Sequence, residues 1–106
     1  MKYAITSQGN SLEAMIDNHF GRCEYIVIYD TDTKGWEFFP NPFKHLDEGV
    51  GPLLVELLYE KGINKIVSGS FGINIKDLLD SKLIQMIIPK HDDISVSSII
   101  KLIENR

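Results

Sequence analysis

Residues 17–30 read DNHFGRCEYIVIYD, and the two halves of this stretch belong to different kinds of structure. The second half, residues 24–30, is almost unbroken apolar sequence of Tyr, Ile and Val. Such a run, without polar alternation, fits a strand buried on both faces. The first half is not strand-like. His19, Phe20, Gly21, Arg22 and Cys23 place an imidazole, a guanidinium and the only thiol of the chain just before that strand. Gly21 permits a tight backbone there. Alone, His19 reads as a histidine packed at a strand entrance. Its meaning depends on where the other unusual residues fall.

Downstream, residues 31–35 (TDTKG) form a hairpin connection, with Gly35 suited to the left-handed position of a bulged turn. Residues 36–39 (WEFF) are then the antiparallel partner of the buried strand. Pro40 and Pro42 end it and mark a sheet edge, because proline cannot donate to a ladder. Upstream, residues 2–6 form a short apolar first strand. Residues 7–11 (SQGNS) are a loop of turn formers, and Leu12, Met15 and Ile16 have the spacing of one helical turn.

A polar loop over residues 43–49 holds His45, Asp47 and Glu48. Val50, Leu53, Leu54, Leu57 and Leu58 then fall at i, i+3, i+4, i+7 and i+8, the single apolar stripe of a surface helix. Pro52 suits its first turn and Gly62 its end. Residues 65–68 are a short strand. Residues 69–72 (GSFG) lead into a second helix capped by Asn74, with Ile75, Leu78 and Leu79 inward. Residues 84–88 (IQMII) are a buried strand stopped by Pro89, and His91, Asp92 and Asp93 form a loop. A last helix, capped by Asp93 or Ser95, carries Val96, Ile99, Ile100 and Ile103 inward.

The element order is therefore β-β-β-α-β-α-β-α. Strands alternating with helices imply parallel pairing through right-handed crossovers, whereas the first half is a meander. The simplest assembly is a three-layer α/β/α domain over residues 1–106. Its five-stranded mixed sheet has order 3-2-1-4-5 with strand 2 antiparallel, a ribonuclease-H-like arrangement. In it the loops 7–11, 17–23, 45–51, 69–72 and 89–93 all open on one edge. All three histidines and the cysteine lie in those loops. In open α/β sheets ligands bind at this edge, where connections diverge to opposite faces. Here that point falls between residues 7–9 and 69–72.

Composition removes several functions. The 106 residues carry a net charge of −4 with no basic run, which argues against a nucleic-acid surface built on clustered Lys and Arg. One cysteine cannot form an internal disulfide, the opening MKYAITSQGN does not read as a secretory signal, and no apolar run reaches the roughly 20 residues that span a bilayer. The cytoplasm is the expected compartment. The fold invites comparison with two-metal nucleases, which need carboxylates on the first strand, but that strand reads KYAITS. No Ser–His–Asp arrangement is apparent, and no catalytic role is expected.

Gly49 and Gly51, and again Gly69 and Gly72, precede helix N-termini, whose free N–H groups and dipole attract anions. The same glycines also serve to close tight strand–helix turns. Neither pair matches a P-loop or a dinucleotide fingerprint. His19 and Cys23 are four apart. On a helical turn both would face one way and could ligate a soft metal, although a single thiol at the start of a buried strand is more often a small hydrophobe. Without a CxxC or HxxxH pair a permanent tetrahedral zinc site is not expected. A transiently filled site completed by a ligand's own atoms remains open.

Several segments together resemble the dinitrogenase iron–molybdenum cofactor biosynthesis family, the small NifX-like domains. They are the MKYAI first strand with its polar Gly loop, HFGR followed by YIVIYD, GVG before an apolar helix ending in KGIN, and KIVSGSFG. The similarity covers roughly residues 1 to 89. It implies a ribonuclease-H-like domain that binds iron–sulfur or iron–molybdenum-type clusters, transiently, as a carrier between cofactor donor and acceptor proteins. His19 corresponds to the histidine of the family's HFG segment, implicated there in cofactor binding. The metal candidates are His19, Cys23 and His45, and residues 19–23 with the four glycines form the wider binding set. The loop HLDEGVG is poorer in His and Gly than in many members, and Cys23 stands where Ala or Ser is common. A second function class stays open, a small-anion or regulatory-partner module that uses the glycine loops without metal.

The charge and the acid-free first strand predict no nuclease activity. Incubation with single- and double-stranded nucleic acids in magnesium or manganese should leave them uncut. Cleavage abolished by changing one carboxylate would contradict the reading.

Overall fold

The computed structural model describes residues 1–91 and 93–105, so Asp92 of the 91–93 loop lies outside the described residues. Strand β1 (Lys2–Ser7) is the spine of the sheet. It pairs antiparallel with β2 (Tyr25–Asp30), Ser7 opposite Tyr25 and Lys2 opposite Asp30. On its other side it pairs parallel with β4 (Lys65–Val67), Ile5 opposite Val67. β3 (Gly35–Pro40) joins β2 antiparallel and β5 (Gln85–Ile87) joins β4 parallel. The order β3-β2-β1-β4-β5 is the expected one, with strand 2 antiparallel to the rest.

The pleat explains why β2 reads as a continuous apolar run. Ala4, Ile26, Ile28 and Ile66 point to one face. There they meet Leu54, Val55 and Leu58 of helix α1 (Val50–Glu60) and Ile75 and Leu79 of α2 (Ile75–Ser81). Tyr3, Ile5, Val27, Tyr29 and Val67 point to the other face and meet Val96, Ile99 and Ile100 of α3 (Val96–Glu104). A strand covered on both faces has no position left for a polar residue. Among the described residues no helix is long and apolar enough to cross a membrane.

Three local expectations change. Residues 12–16 do not form a helical turn that stands alone. Ile16 bridges to Ser7 and Met15 to Ser95, and Ile16 is fully buried with the α3-side core. Long-range pairing overrides a weak local spacing. In the hairpin, Lys34 takes the left-handed position (φ 60°) and donates its N–H to the Asp30 carbonyl at 2.7 Å. Gly35 instead opens β3 opposite Asp30. Asn74 stands at the N-cap of α2 but makes no side-chain cap bond, because its φ of 72° is not the extended backbone a cap residue needs. Ser95 has that backbone and caps α3, its side chain accepting from the Ser98 N–H at 3.2 Å.

Cys23 on one face of the sheet and Tyr29 on the other are buried weak acids. Cys23 is 0% exposed in the α1-side core. Its thiol is pushed up from 9.0 to about 12, first by burial and then by the nearby Asp17 carboxylate. The Tyr29 ring is buried in the α3-side core, while its hydroxyl reaches the rim and donates to Glu104 Oε2 at 2.7 Å. That bond, with burial second, raises its phenol from 10.0 to about 12.

Both shifts favour the protonated folded state. Above pH 9 the unfolded chain releases the Cys23 proton while the folded chain keeps it, so stability falls as pH rises, by at most about 1.4 kcal/mol per pH unit for that thiol. Tyr29 adds to the decline above pH 10. Urea denaturation between pH 8 and 10 should show this loss, and Cys23→Ala should flatten it below pH 10.

Candidate functional site

Past Ser7 the chain turns to the α3 side, where Leu12 and Ile16 pack. Past Val67 it turns to the opposite face, where Phe71 packs and α2 begins. The ends of β1 and β4 are thus the point where connections diverge, as the topology predicts. The two loops are sewn together there. The Asp17 carbonyl accepts from the Thr6 hydroxyl at 2.8 Å, from the Gly69 N–H at 3.1 Å and from the Ser68 hydroxyl at 3.4 Å. The Asp17 N–H donates to Thr6 O at 2.9 Å and the Phe20 N–H to Ser70 O at 3.2 Å. The Ser70 hydroxyl donates to the Asn18 carbonyl. Gly69 is required by this approach. A Cβ on it would lie 2.7 Å from Asn18 Cα and 2.2 Å from Asn18 Oδ1.

From this anchor the HFGR segment turns across the start of α1. Gly21 takes φ 96°, and a Cβ there would press on the Val50 side chain and the Gly51 backbone at 3.2–3.3 Å. Gly51 is buried against Ile75, whose Cδ1 would lie 2.8 Å from a Cβ there and would have to shift. Gly21 of HFGR and Gly51 of GVG are therefore packing residues that let a turn, a helix start and α2 converge.

The result is an open cleft of about 230 Å³ lined by His19, Phe20, Arg22, Val50, Ser70, Phe71 and Gly72. The Phe20 and Phe71 rings lie 5.3 Å apart between centroids, tilted by 33°. Arg22 donates to the Lys44 and Asp47 carbonyls at 2.9 and 3.0 Å, which ties the β3–α1 loop to the rim. The N-terminus of α1 reaches the cleft at Val50. It has no acidic residue in its first turn and no side-chain cap at Gly49, so its uncapped amides and dipole favour negative charge there. α2 spans only seven residues, and the anion argument does not extend to it.

His19, Phe20, Arg22 and Gly72 thus come together, with His19 77% exposed. Cys23 does not join them, and this corrects the His19–Cys23 pairing. The 20–22 segment is a turn rather than a helix, and its left-handed Gly21 sends residue 19 outward and residue 23 into the core. The thiol faces the Asn41 amide at 3.7 Å and is neither accessible nor ionised near neutrality. His45 and Gly49 are exposed and lie outside the cleft lining, as does His91. Among the described residues no three His, Cys, Asp or Glu side chains gather to hold a metal ion.

Two residues missed in the sequence shape this turn. Buried Asn41 donates to the Gly21 and Cys23 carbonyls at 2.7 and 3.1 Å and accepts from the Phe43 N–H at 3.0 Å. Its signal was a turn former held between two prolines, Pro40-Asn41-Pro42. Asp17 Oδ1 accepts the His19 N–H at 3.0 Å, an Asx turn announced by its position two residues before His19.

The family model described as "Dinitrogenase iron-molybdenum cofactor" matches residues 1–105. This chain belongs to that family. No curated protein matches the sequence. Among solved structures, the apo form of the orange protein from Desulfovibrio gigas is similar at a TM-score of 0.88 and 22% identity, covering 98% of this chain and 87% of that one. A candidate NifB protein from Thermotoga is similar at a TM-score of 0.81 and 27% identity, again covering 98% of this chain and 87% of that one. The first likeness shows a shared fold. The family assignment agrees with the resemblance carried by HFGR, GVG and KIVSGSFG.

The Gly69 contact yields a stability test. Gly69→Ala should destabilise the fold by about 1–3 kcal/mol, as overpacking against backbone does, whereas Gly72→Ala, whose Cβ would meet only Ile75 at 3.7 Å, should change it little. Paired urea melts read the difference.

Proposed function

We propose that this protein is a non-catalytic carrier that takes an iron–sulfur or iron–molybdenum-type cluster, or a precursor of one, as cargo in the cleft at His19, between donor and acceptor proteins of cofactor assembly. The observation that carries the reading is one exposed imidazole at a cleft with aromatic walls, an arginine and a helix N-terminus, in a chain that belongs to the dinitrogenase iron–molybdenum cofactor family.

The donor set fits a preformed cluster and not a bare ion. A structural metal site needs several protein ligands fixed in geometry, and the cleft offers one imidazole. A cluster brings its own sulfur ligands and needs only an open coordination position, which a neutral imidazole fills well. The cluster's net negative charge would be met by Arg22 and by the start of α1. Its sulfur faces would lie against Phe20 and Phe71. One protein ligand means an easily broken attachment, as a carrier requires.

Anaerobic reconstitution with ferrous iron and sulfide, followed by absorption spectroscopy, tests the reading. A coloured, iron-dependent complex is expected. His19→Ala should weaken cluster binding at least tenfold and leave unfolding stability within about 0.5 kcal/mol, as for exposed positions, while Cys23→Ala should bind like the parent. A folded His19→Ala protein that binds as tightly as the parent would remove His19 from the site. No iron-dependent colour, with phosphate or sulfate bound at the α1 N-terminus and Arg22, would favour the anion module.

A further inference from the structure

Asp17 is the residue that couples the sewn loops to the imidazole. Its backbone is fixed by bonds to Thr6 and Gly69 and its side chain is only 13% exposed, whereas His19 is 77% exposed. The carboxylate is aimed by its own turn, Oδ1 accepting the His19 N–H at 3.0 Å. The same oxygen lies 3.5 Å from His19 Nδ1. We propose that Asp17 is a positioning residue that holds His19 with its proton on Nδ1, so that Nε2 presents the free electron pair to the cargo. The inference rests on the carrier reading of His19 and adds to it the nitrogen that binds and the group that selects it.

The chemistry has two parts. A neutral imidazole has one protonated and one bare nitrogen, and only the bare one can ligate. In water the side chain prefers the proton on Nε2, which would leave Nδ1, the nitrogen closer to the backbone, as the donor. A carboxylate beside Nδ1 reverses that choice. A hydrogen bond from the non-ligating nitrogen to a carboxylate fixes ring orientation and raises ligand basicity. The 3.5 Å separation is long for such a bond, and bonds of this kind tighten when the partner is engaged. The carboxylate is held toward the ring by its bond to the His19 N–H, so closing the gap falls to rotation of the exposed ring. Arg22 and the α1 N-terminus lie at the same cleft as His19, so the groups that attract an anionic cargo stand beside the ring.

The test reads the ring nitrogens of the cargo-free protein by long-range ¹⁵N–¹H NMR correlation at about pH 8.5, two units above the reference imidazole value of about 6.5. In the parent, the Nδ1–H form of His19 should dominate. In Asp17→Ala the balance should move toward Nε2–H, and Asp17→Asn, which keeps an acceptor but loses the charge, should fall between them. Binding of the iron–sulfur cluster assembled from ferrous iron and sulfide should weaken about 10–100-fold in folded Asp17→Ala, the usual cost of losing such a partner. A parent protein with His19 mainly as Nε2–H would overturn the proposal, as would a folded Asp17→Ala variant with unchanged ring shifts. If the parent takes up no cluster, the carrier reading fails, yet the tautomer of the cargo-free protein still decides the role of Asp17.

Discussion

The carbonyl oxygen of Asp17 is the point on which the functional edge of the sheet depends. Two hydroxyls, from Thr6 and Ser68, and one backbone N–H, from Gly69, converge on it. Buried hydroxyls are costly unless they find partners. Here the partner is a carbonyl whose chain must leave β1 for one face while residue 69 leaves β4 for the other. The satisfied network therefore closes the gap between two diverging connections. Everything nearer the solvent inherits its position. The HFGR turn begins two residues later, and Phe20 is held to the β4 loop through Ser70. The cleft exists because the loops cannot spread, and Gly69 keeps them close by having no side chain.

Much of the fold was legible from patterns with one physical meaning. The unbroken YIVIYD run could only be a doubly covered strand, and the Val50–Leu58 stripe only an amphipathic helix. Crossover handedness then left few ways to order the strands, and the edge carrying His19 followed. What was not legible depended on backbone conformation or distant contacts. Met15 and Ile16 look helical in isolation, yet Ile16 bridges back to Ser7 at the end of β1 and Met15 bridges to Ser95, the N-cap of α3. Lys34 takes a left-handed conformation that a sequence reader assigns to the adjacent glycine. At the site, the four-residue spacing of His19 and Cys23 implies a shared face. A single left-handed glycine between them reverses the second side chain. Asn41 was invisible because its partners are carbonyls, which no residue type advertises.

The glycines show how a family pattern maps onto physics. Gly21, Gly51 and Gly69 each stand where a methyl group would press on backbone or on a buried side chain, and Gly72 lines the cleft without crowding. Three of the five candidate glycines therefore act by permitting close approach. The groups that could touch a cargo are fewer than the motif suggests: an imidazole, a guanidinium, two aromatic rings and the amides that open α1.

The inward turn of Cys23 also bears on how the protein meets oxygen. Sulfur oxidation begins from an accessible thiolate, which leads to sulfenic acid, mixed disulfides and cross-linked chains. With its only thiol protonated, in the core and against Asn41, the polypeptide offers no entry to that sequence while folded. A protein that handled reactive sulfur-containing cargo through a surface cysteine would risk trapping it as a mixed disulfide. This chain keeps its one thiol out of reach, so air would leave the folded chain's thiol intact.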